Sequence, residues 1–219
     1  MQPVLPVTDP LPEPRWQRRK EERPAEIMAA ALKLFANRGF AATRLEDVAE
    51  LAGVSKATIY LYFDSKVELF KAVLSAIALP RIGQMEAMID GFSGPSADLV
   101  RGLMEFAKVN VTSSPELRKI MKTVMAEAGN FPELASYHLE TVVLRVLGNI
   151  ERIIRRGIER GEFRPCDTLM TAQSIFAPVF MNSLSRETFG EIPQFDPERL
   201  FASHVEFVLR GLAPEKSAA

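Results

Sequence analysis

The side chains best suited to chemistry in this chain crowd between Thr43 and Lys66, and they suit contact with a phosphate backbone rather than bond making. The stretch Ser55–Lys66, SKATIYLYFDSK, sets three rings, Tyr60, Tyr62 and Phe63, within four positions, with Lys56 and Lys66 on either side. Hydroxyls and ammonium groups at helix starts can meet phosphate oxygens, and a small residue lets a backbone approach a groove closely. Catalytic groupings are absent from the sequence. It holds no H-E-x-x-H, no G-x-S-x-G and no phosphate-binding loop, and its two histidines, His138 and His204, stand far apart. The one cysteine, Cys166, allows neither an intrachain disulfide nor a paired-cysteine zinc site. No cofactor or metal is expected, and the reading as an all-α enzyme has no motif behind it.

Those residues need short helices to position them. Pro24 suits a first helical turn, where its missing N–H is not needed. Ile27, Ala31, Leu34 and Phe35 then recur at i, i+4, i+7 and i+8, one face of a helix that ends at Arg38. Gly39 is a left-handed stop, and Phe40 stands where such ends place a hydrophobic contact. Thr43 and Glu46 form a capping-box pattern ahead of Leu45, Val48, Ala49 and Ala52. Gly53 stops that helix, and Ser55 is an N-cap for a third running to about Tyr62. Ser65 and Glu68 make a second capping box, starting a fourth helix at Lys66. The pair joined by AGVS is a helix-turn-helix arrangement. In such a pair the second helix enters the DNA major groove. Ile59 and Phe63 fall together and point at the first two helices, while Lys56, Ala57, Tyr60 and Leu61 spread over the other side.

Beyond Lys66 the helices lengthen and become more apolar. Pro80 is expected to end or kink the fourth. Further helices are predicted near 96–111, 115–128, 132–161, 167–187 and 196–211, and no alternating β pattern appears, so the chain reads as all-α. The division is a Pro-rich, disordered tail and basic arm over 1–23, a DNA-binding domain over 24–72, a ligand-binding and dimerisation domain over 73–213, and a tail over 214–219. No run of eighteen apolar residues appears and no membrane partner is expected. The first fourteen residues hold five prolines and lack the basic-then-apolar order of a secretory signal, which with the lone thiol points to the cytoplasm. Net charge is −1 overall, yet residues 15–72 hold 11 Lys+Arg against 8 Asp+Glu. Attraction to nucleic acid is therefore local, and the RWQRRK run is either an arm for the DNA backbone or a solvated tail.

The stretch TRLEDVAELAGVSKATIYLYFDSKVEL resembles the DNA-binding region of the TetR family of bacterial transcriptional regulators. The resemblance covers Ala25 to about Leu74. Where the family commonly has glycine, this chain has Ala57. The resemblance implies a homodimer with an N-terminal three-helix DNA-binding domain and a larger helical domain that binds a small molecule. Effector binding would spread the recognition helices away from an inverted-repeat, double-stranded operator, which makes the protein a repressor. An activator, or a regulator without a small-molecule ligand, is the alternative. By position, Thr43 and Arg44 would contact phosphate, and Ser55, Lys56, Ala57 and Thr58 would lie at the groove. Tyr60 would touch phosphate or a base, and Tyr62 and Lys66 phosphate.

The larger part has a Met- and Phe-rich interior, which suits core filling and variable ligands alike. Phe106, Met121, Met125, Phe176 and Phe180 are candidate walls of a pocket for a small apolar or amphipathic effector, and Tyr137 and His138 its candidate polar contacts. The last two helices correspond in position to the family's dimer interface.

Overall fold

The computed structural model describes residues 15–190 and 196–214, with side chains from residue 22 onward. The expectations for residues 1–14, for the side chains of the basic run and for 215–219 lie outside these. The described chain is all-helical: α1 Arg15–Arg38, α2 Leu45–Ala52, α3 Lys56–Tyr60, α4 Lys66–Gly91, α5 Ser96–Ala107, α6 Pro115–Glu127, α7 Pro132–His138, α8 Leu144–Glu159, α9 Thr168–Phe189 and α10 Pro197–Leu212. Two π-helical segments, Lys108–Thr112 and Leu139–Val143, follow α5 and α7 without a break. The single helix expected over 132–161 is thus two α segments joined by a π turn.

Local signals explain most of the small-helix boundaries. Gly39 and Gly53 take φ of 80° and 64°, the left-handed conformation that lets a helix stop. Ser55 Oγ accepts from Thr58 N at 3.1 Å and Ser65 Oγ from Glu68 N at 3.1 Å, as the capping pattern requires. At Thr43 the structure corrects the sequence reading. Arg44, not Thr43, precedes α2, and no side chain caps it. The Thr43 hydroxyl donates to Gly39 O at 2.7 Å, and Glu46 pairs with Lys56 instead.

The prolines act differently from expectation. α1 begins upstream of Pro24, so residues 15–23 are helical and Pro24 lies inside the helix. α4 also continues past Pro80 rather than ending there. Each ring removes one i→i−4 bond, yet in α4 packing on both sides of Pro80 keeps the helix going. In α4, Leu69, Phe70, Val73 and Leu74 are buried before Pro80, and Ile82, Met85 and Ile89 after it. By length and hydropathy alone α4 could cross a membrane, at 26 residues with a mean hydropathy of 1.2. Its buried positions belong instead to the two cores it joins and to the cavity wall between them, where Ala78 and Ile82 lie.

The first core gathers Ile27, Phe35, Phe40, Val48, Ile59, Leu69 and Phe70, and takes in Ile120 and Val124 of α6 and Leu134 of α7. The second lies among α4, α5, α8, α9 and α10, around Leu99, Ile153, Ile154, Ile175 and Phe201. Within it, Gly157 on α8 allows the Phe163 ring to lie flat on the helix. A Cβ at position 157 would sit 2.0 Å from Phe163 Cδ2. Gly157→Ala adds helix propensity of about 1 kcal/mol but overpacks a buried ring at a cost of about 1–3 kcal/mol. We expect a net loss of stability in urea denaturation, where an exposed helical glycine would show a gain.

Candidate nucleic-acid interface and apolar cavity

α3 has only five residues, far too few to hold helical shape alone. Its shape comes from its attachments. Ile59 is fully buried and Phe63 is 9% exposed, both in the first core. The turn before it is closed by Val54 N to Ala49 O at 2.9 Å and Gly53 N to Glu50 O at 3.1 Å. Ser55 Oγ also lies 2.8 Å from Thr58 Oγ1. With one side so anchored, the other is presented. Ser55, Lys56 and Ala57 are exposed, Thr58 is half-buried, Tyr60 is 47% exposed and Leu61 80%.

Lys56 Nζ reaches Glu46 Oε1 at 2.6 Å and lies 5.8 Å from the Tyr60 ring centroid. This hydrogen bond raises the pKa of Lys56 and lowers that of Glu46. Both partners are solvated, so the pair is weak and open to exchange for another anion. Arg44 stands exposed just before α2.

Lys66 is the counter-case. Its ammonium donates to Phe40 O at 2.9 Å, Ala41 O at 3.2 Å and Thr43 O at 3.0 Å, and lies 4.4 Å from the Phe40 ring centroid. Three N–H donors are all an ammonium has. Burial lowers the Lys66 pKa, with Glu127 pulling it back up.

A second feature lies in the larger part. A cavity of about 100 Å³ is lined by α4, α5, α6, α7, α8 and α9 together with both π segments. From α4 come Ala78, Arg81, Ile82 and Met85, at i, i+3, i+4 and i+7. Phe106, Met121, Phe176 and Phe180 line it, with Val111 from the first π segment and Val142 and Val143 from the second. The polar residues on its wall are Arg81 and His138. Arg81 is already engaged, donating to Asn110 O, Ile77 O and Ser114 Oγ at 2.9, 2.6 and 3.3 Å. His138 is 3% exposed, and its Nδ1 has no hydrogen-bond partner among the described residues. Burial pushes its pKa from 6.5 down to about 4, so the imidazole is neutral at pH 7. No group of three or more potential metal ligands occurs among the described residues.

Comparison with known proteins places the helix-turn-helix and the larger helical part in a family. A sequence model described as bacterial regulatory proteins of the tetR family matches residues 27–73, and one described as the C-terminal domain of AefR-like transcriptional repressors matches residues 102–210. The chain belongs to the TetR family of transcriptional regulators. This TetR-family protein is 28% identical over 163 residues to the helix-turn-helix-type regulator YfiR of Bacillus subtilis, covering 72% of this chain and 76% of that one. It is 29% identical over 198 residues to YhgD of the same organism, covering 88% and 97%. Among solved structures, B. subtilis FadR in complex with stearoyl-CoA superposes with a TM-score of 0.74 at 20% identity, covering 86% of this chain and 98% of that one. NalD, secondary repressor of the MexAB-OprM multidrug efflux pump in Pseudomonas aeruginosa, gives 0.71 at 24% identity, covering 90% and 100%. These two likenesses speak for the fold. The family binds DNA and is non-enzymatic.

Within the TetR-family frame, the sequence-predicted residues separate. Arg44, Ser55, Lys56, Ala57, Thr58 and Tyr60 share the exposed side of the helix-turn-helix. Tyr62 is half-buried against the first core. Thr43 is 1% exposed with its hydroxyl turned inward, so it offers no phosphate contact. Lys66 has no donor left for one. Of the pocket candidates, Phe106, Met121, His138, Phe176 and Phe180 line the cavity. Met125 does not, being 41% exposed on the outer side of α6. Nor does Tyr137, whose hydroxyl lies 2.6 Å from Ser75 Oγ beside the first core. The α4 wall, Arg81 included, was missed. Its helical spacing is plain in the sequence once the helix is allowed to pass Pro80.

Two tests follow from these placements. Lys66→Met should cost about 1–3 kcal/mol in urea denaturation, because it strands backbone carbonyls. Unchanged stability with weaker DNA binding would restore a phosphate role. For His138, the folded-state pKa lies below the unfolded one, so stability is intact above pH 6.5 and falls as pH drops towards about 4. His138→Gln should remove that part of the acid sensitivity, seen as a smaller fall in melting temperature between pH 6.5 and 4 than in the parent protein.

Proposed function

We propose that this TetR-family protein is a homodimeric repressor that acts in the cytoplasm and leaves its operator when a small apolar or amphipathic molecule fills the cavity. The observation that carries the reading is the pairing of a presented recognition helix with an apolar cavity in one chain. Residues 24–72 would be the DNA-binding unit and 73–213 the effector-binding and dimerisation unit. Lys56, Ala57 and Tyr60 would meet the groove, with Ser55 and Thr58 beside them and Arg44 on phosphate; Tyr62 would reach phosphate from the edge of the core. Lys56 would exchange Glu46 for a phosphate oxygen.

Dimerisation is supported by apolar side chains left open on the last two helices. Leu169, Met170, Met181 and Phe189 on α9 and Phe207 on α10 are between 42% and 76% exposed. Apolar exposure of this kind marks interaction surfaces. A two-fold dimer presents two copies of α3 and so calls for an inverted-repeat site. The match to the C-terminal domain of AefR-like repressors supports repression. FadR holds an acyl-CoA; the cavity in this chain would need to enlarge greatly for so long a ligand.

The test is binding of the dimer to DNA upstream of its own gene at a stated salt concentration. Preference for an inverted repeat over random DNA is expected, and its absence would sink the reading. Tyr60→Phe should weaken operator binding about five- to tenfold, the worth of one hydrogen bond, with no change in melting temperature.

A further inference from the structure

We propose that the cavity takes a compact, single-ring molecule carrying one hydroxyl group, a simple phenol, with that hydroxyl hydrogen-bonded to His138. This rests on the reading of the cavity as the effector site and names the class of effector.

The first argument is size. A cavity of about 150 Å³ lined by Leu, Ile and Phe stays dry and binds benzene. The volume here, about 100 Å³, is of that order. Its walls include Met85, Met104 and Met121, which can yield to a ring. The second is construction. Both π segments border the cavity, and such bulges re-aim side chains by inserting a residue into a turn. Here Val111, Val142 and Val143 are the residues directed at the hole.

The third argument selects the polar group. The wall offers Arg81 and His138. The Arg81 nitrogens Nε, Nη1 and Nη2 each already donate to a protein oxygen. His138 Nδ1 is buried without a partner, a defect that costs free energy unless something fills it. A neutral imidazole carries one donor and one acceptor, and a hydroxyl can answer either. A carboxylate can only accept, and it would shed its water on entering an almost wholly apolar space. A lone water could satisfy Nδ1 too, but a buried water needs two to four polar partners. Arg81 has five N–H donors, three of them used and each nitrogen braced by protein, whereas His138 carries the buried wall atom that has no partner among the described residues.

The experiment is calorimetric titration of the full-length protein, without DNA, at pH 7 with phenol, toluene and benzoate. Phenol should bind at least as tightly as toluene, and benzoate weakest. In His138→Phe and His138→Leu, phenol should lose about tenfold or more relative to toluene, with toluene retained as the sign of an intact cavity. Benzoate binding tighter than phenol would overturn the proposal in favour of a carboxylate at Arg81. Phenol binding weaker than toluene in the parent protein, or no binding of any probe, would overturn it outright, whether or not the variants fold. An unchanged phenol-to-toluene ratio in the variants would mean that His138 serves the fold or a water alone. Operator release is read separately. Phenol that binds without loosening DNA counts against the proposed function and leaves the ligand class standing.

Discussion

The ring of Phe40 ties α1 and α4 to the segment before α7 inside the first core, the core that also seats α3 through Ile59 and Phe63. It is fully buried, with ring centroids of Phe35, Phe70 and Phe131 at 5.6, 5.3 and 4.7 Å. Phe35 and Phe70 belong to α1 and α4, while Phe131 precedes α7. The carbonyls beside Phe40 would be a liability in so apolar a place, and Lys66 collects three of them. Ala41 N donates to Glu127 Oε1 at 3.0 Å across the same junction. Aromatic packing, an ammonium clamp and a carboxylate therefore tie the loop after α1 to the end of α6 and the start of α7. Those same helices supply Leu117, Met121 and His138 to the cavity wall.

α6 and α7 thus contribute both to the cavity wall and to the core that seats the recognition helix. α3 has little stability of its own and follows whatever holds Ile59 and Phe63. Both sit in a core that includes Ile120, Val124 and Leu134 from α6 and α7. A change in the cavity that shifts α6 or α7 must therefore be absorbed by the core that seats α3. Close-packed interiors pass such shifts on rather than damping them.

Much of the small domain was legible in the sequence because its signals are local. Gly39, Gly53, Ser55 and Ser65 act within one turn of themselves, and the i, i+4, i+7 face of α1 needs no knowledge of its partner. The apolar side of α3, Ile59 with Phe63, followed from helical spacing in the same way. The pocket residues Phe106, Met121, His138, Phe176 and Phe180 were legible only as a class, since large apolar side chains fill cores and line cavities alike. Their neighbours Met125 and Tyr137 belong to the same class and point elsewhere.

By itself, then, the sequence determined that the chain is all-α, where α1 and α2 stop at Gly39 and Gly53, where α3 and α4 start, and which side of α3 is presented, because hydrogen-bond geometry within a turn decides these. Tertiary structure alone decided the rest. Thr43 turns inward because Gly39 O lies within reach, and Lys66 becomes a clamp because the Phe40 loop folds back over it from 26 residues away. α4 passes Pro80 because burial on both sides outweighs one lost backbone bond, and that same continuity brings Arg81 and Met85 to the cavity. The Lys66 clamp and the continuity of α4 turn on a partner distant in sequence or on a balance of packing against local propensity, and the Thr43 bond, though local, turns on the path of the loop after Gly39; no spacing rule carries that information.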